Sequence, residues 1–419
     1  MINLTRPSFL VPFALVTPYL FLGGVGITWF ELLILGTLFL HFVVMGQPIP
    51  TKNIIASYVV LLLAGYGMAV MNGALNFGVP IGLQDLKVFY WLLLAYAGFY
   101  IGYRHYQPLP QIATALPIRM ITVILCVFVL AYPFLAPDVR MLIMRPFYSP
   151  ESDPSQLLRL RFEGPRFPGF GVNANIFAFM TLVVYLLMFR ECIAKRVKWI
   201  YPALLGLSLT VMGSKTVFLL AALLSLHLMF FSSISTRNKL YLAAGAALAA
   251  FATFFFLFFT EQGEALQDSI VIIDRLMQLT EARDMREDSP FDIRLDTWQR
   301  GMERVELAPI AGIQLTNAYD DGTLLNFCCP HNEFIAFWTF TGFLGLLANV
   351  VLIGYLIKRN LFAANWAFWI GLYAALCVQM FFDAAFQSPR FIPFMFMLFG
   401  LNLRELDRPG SKGVARVRS

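Results

Sequence analysis

Apolar runs of about 20 residues dominate the chain, separated by short breaks of charge, glycine or proline. That is the length at which an α-helix crosses a bilayer core. Runs fall at 8–26, 29–46, 53–71, 87–104, 118–136, 174–190, 198–212, 216–234, 239–259, 333–357, 364–383 and 390–404. They predict an all-α polytopic membrane protein of about twelve spans. The seventh and eighth runs are divided only by Met212-Gly213-Ser214-Lys215, and the first two only by a few residues around Gly23–Gly26. The first run follows Arg6, has no small-residue cleavage site and leads straight into the second, so no cleavable signal peptide is expected. No internal repeat is apparent. Residues 1–419 therefore read as a single integral membrane domain, interrupted by two long segments at about 137–173 and 260–332.

The second long segment has a pattern of its own. Residues 265–281 alternate apolar and charged positions as an amphipathic surface helix does. Ser289-Pro290 is a helix start, with proline in the first turn, and Pro309 marks the stop. Within that helix Arg294, Trp298 and Gly301 share one face.

Composition sharpens the picture. Of the 419 residues 59% are hydrophobic and only 13% charged, against about 25% charged in a soluble domain. With a mean hydropathy of +0.70, a soluble enzyme and a disordered chain are both excluded. The net charge of +6 points to nucleic acid only until the charges are placed. With the N-terminus in the cytoplasm, the cytoplasmic connections carry Arg6, Lys52, Arg104, Arg119, the cluster Arg190–Lys198, Arg237, Lys239, Lys358 and Arg359, and the basic tail 405–419 returns to the same side. This is the positive-inside pattern, with anionic lipid rather than nucleic acid as the partner. The cysteines, Cys126, Cys192, Cys328, Cys329 and Cys377, show neither zinc spacing nor a disulfide framework.

The opposite, extracytoplasmic side departs from the rule. The long segments carry many arginines, among them Arg140, Arg145, Arg159, Arg161, Arg166, Arg294, Arg300 and Arg304. Long loops translocate regardless of charge, but the first is poor in acids, and an arginine excess there suits a polyanion such as a diphosphate, which guanidinium groups grip in a bidentate fork. Of the four histidines only His331 falls on this side, in Cys-Cys-Pro-His-Asn at the entry to the tenth run. It is a packing residue at a helix start or a general base, and Asn332 beside it is a ligand or a helix cap. Arg166-Phe-Pro-Gly-Phe-Gly-Val-Asn-Ala-Asn175 enters the sixth run, with Asn173 and Asn175 suited to sugars or to capping. Gly213-Ser214-Lys215-Thr216 lacks the upstream glycine of a P-loop, which leaves Lys215 as an anion contact or an interfacial anchor. Glu31, Asp383 and Arg390 are further ionisable residues at the membrane boundary. No metal-ligand spacing and no nucleophile motif occurs, so neither metal nor cofactor is expected.

In order, these segments resemble the O-antigen ligase family. His331-Asn332, nine residues, then Gly342-Phe-Leu-Gly345 looks like its histidine–glycine signature. Arg166 through Asn175 resembles its entry to a span, and Arg294-Leu-Asp-Thr-Trp298 with Ala308-Pro309-Ile-Ala-Gly312 is similar to its arginine–tryptophan and proline–glycine segment. The likeness covers roughly 160–405. Two positions depart from it: Lys215 stands where the family has arginine, and Ile313-Gln314 replaces a second glycine. The resemblance implies an inverting, metal-independent glycosyltransferase of the C-type membrane architecture, its active site facing the periplasm from a bacterial inner membrane. Its donor would be an undecaprenyl-diphosphate-linked glycan and its acceptor lipid A-core or a growing glycan. Arg166 and Arg294, with Lys215, would stabilise the diphosphate, and His331 would orient or deprotonate the acceptor. Asn173, Asn175, Asn332 and Trp298 would bind substrate. A polysaccharide polymerase of the same superfamily shares the donor chemistry. A lipid-linked glycan flippase or transporter would instead line a path to both sides, whereas these residues gather on one.

Overall fold

Most of the apolar runs form helices, ended where glycine, proline or charge interrupts them. A computed structural model describes residues 5–22, 25–46, 54–147, 167–170, 173–232, 235–237, 239–240, 290–314, 331–383, 388 and 390–408. Five helices are long and apolar enough to cross a membrane: Ile54–Asn76, Asp85–Arg104, Leu116–Phe134, Ala174–Ile193 and Glu333–Asn360. Shorter apolar helices accompany them. Several present large apolar side chains outward as well as inward, among them Val60, Leu75, Val127 and Leu223. Such a surface is stable against hydrocarbon and costly against water. Nearly all of the ninth run, the amphipathic stretch 265–281 and most of both long segments, Arg166 included, lie outside the described residues.

The first run does not form one span. Helix α1 (Pro7–Val16) ends ahead of Pro18, and the chain turns into an antiparallel hairpin, β1 (Tyr19–Leu22) with β2 (Val25–Thr28), in which Tyr19 pairs with Thr28. Proline holds the residue before it extended, and a short apolar run reads equally as strand or helix. Helix α2 (Trp29–Phe39) follows and passes into a π-turn, Leu40–Val44.

The chain divides into two compact units. The first comprises Ser8–Phe30 and Gln107–Asp284, with a few N-terminal residues. Among the described residues its helices are most of α1, then α5 (Leu109–Thr114), α6 (Leu116–Ala131), α7 (Pro137–Met144), α8 (Ala174–Ile193), α9 (Ile200–Met212) and α10 (Lys215–Phe230). Helix α9 packs on α6 and α8, and α10 packs on α8. Gly213, at φ 62°, caps α9 in the left-handed conformation, so the glycine that divides two runs in the sequence performs the turn.

The second unit comprises chiefly Glu31–Tyr106 and Met285–Ser419. It holds most of α2, then α3 (Ile54–Asn76), α4 (Leu83–Arg104), α11 (Pro290–Leu307), α12 (Glu333–Asn360), α13 (Trp366–Phe382) and α14 (Phe391–Leu406). Its tightest contact joins α4 and α14. A Cβ placed on Gly98 would lie 2.3 Å from the Pro393 carbonyl oxygen, and one on Gly102 2.0 Å from that of Met397. Small residues four apart let two backbones touch, and every residue from Phe391 to Leu403 is buried. Helix α12 lies along α3, where the Tyr58 hydroxyl donates to Asn349 Oδ1 at 3.1 Å. Where α4 ends, the His105 ring meets that of His41 edge-on at 5.3 Å.

Candidate functional site

Helix α12 is broken, and the break organises the second unit. Gly342 has φ 63° and ψ −164°, a conformation that only glycine occupies freely. The segment after α11 docks into the gap. Ile313 N–H donates to the Thr339 carbonyl at 2.7 Å, and Phe343 N–H donates to that of Ile310 at 3.1 Å. Backbone groups released by the break thus find partners outside the helix. Gly312, at φ 72°, abuts Gly342: a Cβ on Gly312 would lie 2.4 Å from the Gly342 nitrogen, and one on Gly342 2.1 Å from the Ile310 oxygen. The Asn72 side chain donates to the Gly312 carbonyl at 2.8 Å, and the Trp338 indole to that of Pro309 at 2.8 Å.

Arg304 braces the same turn. It is 1% exposed, donates to the Gln314 carbonyl at 2.8 Å, and lies over the Phe340 ring. In the sequence it counted among the extracytoplasmic arginines; its place in the fold is a buried brace. Gln314, which stands where the resemblance expects glycine, donates from Nε2 to the Pro80 carbonyl at 3.0 Å and covers Gly73.

At the start of α12, Asn332 is 3% exposed, and its Oδ1 accepts from Ile335 N–H at 3.1 Å. It is an N-cap, one of the two roles open to it in the sequence. His331 just before it is half-buried, with φ 47°. Left-handed backbone is uncommon outside glycine, though histidine is enriched there. The indole N–H of Trp298 donates to the His331 carbonyl at 3.4 Å, and its ring meets Phe381 edge-on at 5.0 Å. Trp298 therefore ties α11 to the histidine and to the end of α13. Arg294, one helical turn earlier, is half-buried. Helix α11 begins at Pro290 and ends at Leu307, with Gly301, Arg304 and Val305 buried. Three segments distant in the sequence, 294–298, 308–312 and 331–345, thus meet in one unit.

The first unit gathers other residues of the set. Asn173 caps α8, its Oδ1 accepting from Asn175 N–H at 2.9 Å. Phe167 and Phe170 are buried and pack on each other at 5.1 Å. Phe167 meets Tyr132 edge-on at 5.2 Å. Phe167 N–H also donates to the Val211 carbonyl at 3.4 Å, which brings Phe167 to the end of α9, just ahead of Gly213 and Lys215. Lys215 is the first residue of α10 and half-buried. Arg140, one of the arginines of the first long segment, stacks over Tyr132 at 5.3 Å and donates to the Pro133 carbonyl at 2.6 Å. Only its place in an arginine-rich segment signalled it. Among the described residues no group of three or more His, Cys, Asp and Glu side chains is placed to hold a metal ion. No protein-family model matches the chain, and neither does any curated protein.

Proposed function

We propose that this chain is a membrane glycosyltransferase. It takes a glycan from undecaprenyl diphosphate on the outer face of a bacterial inner membrane and passes it, with inversion, to a sugar hydroxyl, as an O-antigen ligase does on lipid A-core. One observation carries the reading: three segments that resemble the ligase family's separate motifs converge on the Gly312–Gly342 contact and the start of α12. In this reading the chain spans the membrane about twelve times, with both ends cytoplasmic and the two long segments in the periplasm.

The chemistry asked of the residues is modest. A diphosphate is already a good leaving group and needs cations where its charge develops. The resemblance assigns Arg166, Arg294 and Lys215 to that diphosphate, the arginines as guanidinium forks and the lysine as a point charge. His331 accepts the proton of the attacking hydroxyl or orients that hydroxyl. Asn173, Asn175, Asn332 and Trp298 shape the sugar side, through caps and packing as well as direct contact. No metal is required, so transfer is expected to proceed in EDTA.

The test is deletion of the gene followed by analysis of surface and lipid-linked glycans, with complementation by wild type, Arg294→Ala and Arg294→Lys. Loss of long chains from the lipid core while lipid-linked polymer accumulates is the expected result. Arg294→Ala should fail to complement although inserted, and Arg294→Lys should restore little, since lysine lacks the fork. Single repeats on the core would mean a polymerase. Unchanged glycans would refute the proposal.

A further inference from the structure

The first unit carries a groove whose lining includes none of the residues proposed for transfer. It runs between α8, α9 and α10, has a volume of about 520 Å³, and is lined mainly by apolar side chains, including Phe189, Trp199, Leu207 and Phe218. Pockets that hold a small ligand span roughly 300–1,000 Å³. Along α9 it extends from Pro202 to Thr210, about 12 Å at 1.5 Å per residue. That is most of the ~15 Å depth of one bilayer leaflet.

One end of the groove is strongly basic. Phe189 and Trp199 meet edge-on at 5.7 Å and flank the loop that joins α8 to α9. Between Arg190 and Trp199 stand four cations, Arg190, Lys195, Arg196 and Lys198, against one carboxylate, Glu191, a net +3. Glu191 is wholly buried and holds Arg190 at 2.5 Å and Arg196 at 2.9 Å. Lys195 and Lys198 are exposed. A tryptophan at the mouth, lysines beyond it and a hydrocarbon-lined slot behind it fit a lipid with a chain at one end and an anionic head at the other.

We infer that this groove is a binding site for an anionic glycerophospholipid of the leaflet, one acyl chain lying along α9 and the phosphate at Lys195 and Lys198. The inference requires only that the chain sits in a bilayer and is independent of the glycosyl-transfer reading. By the charge pattern of the sequence, this loop lies on the cytoplasmic side.

The test is native mass spectrometry of the purified full chain with dioleoyl phosphatidylglycerol or dioleoyl phosphatidylcholine. Wild type should retain one phosphatidylglycerol and prefer it about 30-fold, since two lysines near the surface contribute about 1 kcal/mol each and 1.4 kcal/mol is tenfold. Lys195→Gln with Lys198→Gln should abolish that preference. Gly206→Phe should displace the lipid, because a Cβ at Gly206 would meet only Tyr185 Cε2, at 3.6 Å, and the ring would enter the groove. Should Gly206→Phe fail to fold, Ala222→Leu fills the same slot from α10, with the same expected loss. Equal binding of the two lipids by wild type, or phosphatidylglycerol retained unchanged in both filled and neutralised variants, would overturn the inference. So would loss of the lipid in Lys215→Gln alone, which would place the head group at the other end of the groove.

Discussion

At the scale of single residues, His331 combines two properties that a simple alanine substitution confuses. Its imidazole is the expected base, and its backbone is left-handed. Alanine removes the ring and pays for the conformation, whereas glycine removes the ring and adopts it freely. His331→Ala and His331→Gly should therefore both lose roughly 10²–10⁴-fold in transfer rate, with His331→Gly the more stable in thermal unfolding. Recovery of activity in the glycine variant alone would make the histidine a backbone device. A second residue-scale outcome concerns His105, at the end of α4. Burial, aided by His41 and Arg104, lowers its pKa to about 4. The unfolded chain therefore binds a proton there that the folded chain refuses. Stability should fall as pH drops from about 6.5 towards 4, and His105→Gln should flatten that part of a melting-temperature profile. An unchanged slope would show that His105 does not govern it. Some residues disclosed their place in the sequence and some did not. Gly213 and Pro290 act locally, and each punctuates the chain where the sequence places it. Arg304 looked like one more loop arginine, because burial against the Gln314 carbonyl depends on a turn that no local pattern announces.

Among elements, the broken α12 needs glycine for its backbone conformation as well as for space. Gly342→Ala meets a carbonyl oxygen at 2.1 Å and a conformation closed to alanine. We expect it to destabilise the protein by more than about 1–3 kcal/mol, the cost of the strained backbone alone, and to abolish transfer. Ala348→Gly, on the same helix, should cost about 1 kcal/mol in helix propensity and about 0.8 kcal/mol for its buried methyl. The comparison is made by thermal unfolding in detergent, and equal losses would mean that the break bears no special strain. Helix existence was legible along most of the chain because hydrophobic period and punctuation are local signals. The hairpin at 19–28 was not, since the continuous apolar run 8–26 carries no period that separates strand from helix. The α4–α14 contact was not read from the sequence, because the partner of Gly98 and Gly102 lies far along the chain.

For the whole molecule, the charge pattern makes the clearest claim. Single cysteines near 155 and 285, in an otherwise cysteine-free background, should react with a membrane-impermeant thiol reagent in cells whose outer membrane alone is opened. Labelling that requires permeabilised inner membrane would invert the orientation and remove the proposed periplasmic site. The candidate site was legible in parts: the sequence supplied 294–298, 308–312 and 331–345, and the fold shows why they belong together. The groove beside α9 was invisible beforehand, being a gap between three helices rather than a property of any one. The packing of α14 on α4 has a further consequence, for biosynthesis. Helix α14 emerges about 290 residues after α4, which at roughly 5–20 residues per second is a wait of roughly 15–60 s. Throughout that interval the glycine face of α4 has no partner from its own chain. The second unit therefore closes only after α14 has been made, whereas the described helices of the first are mostly made in one uninterrupted stretch. An insertion chaperone, or lipid itself, must occupy the α4 surface while it waits.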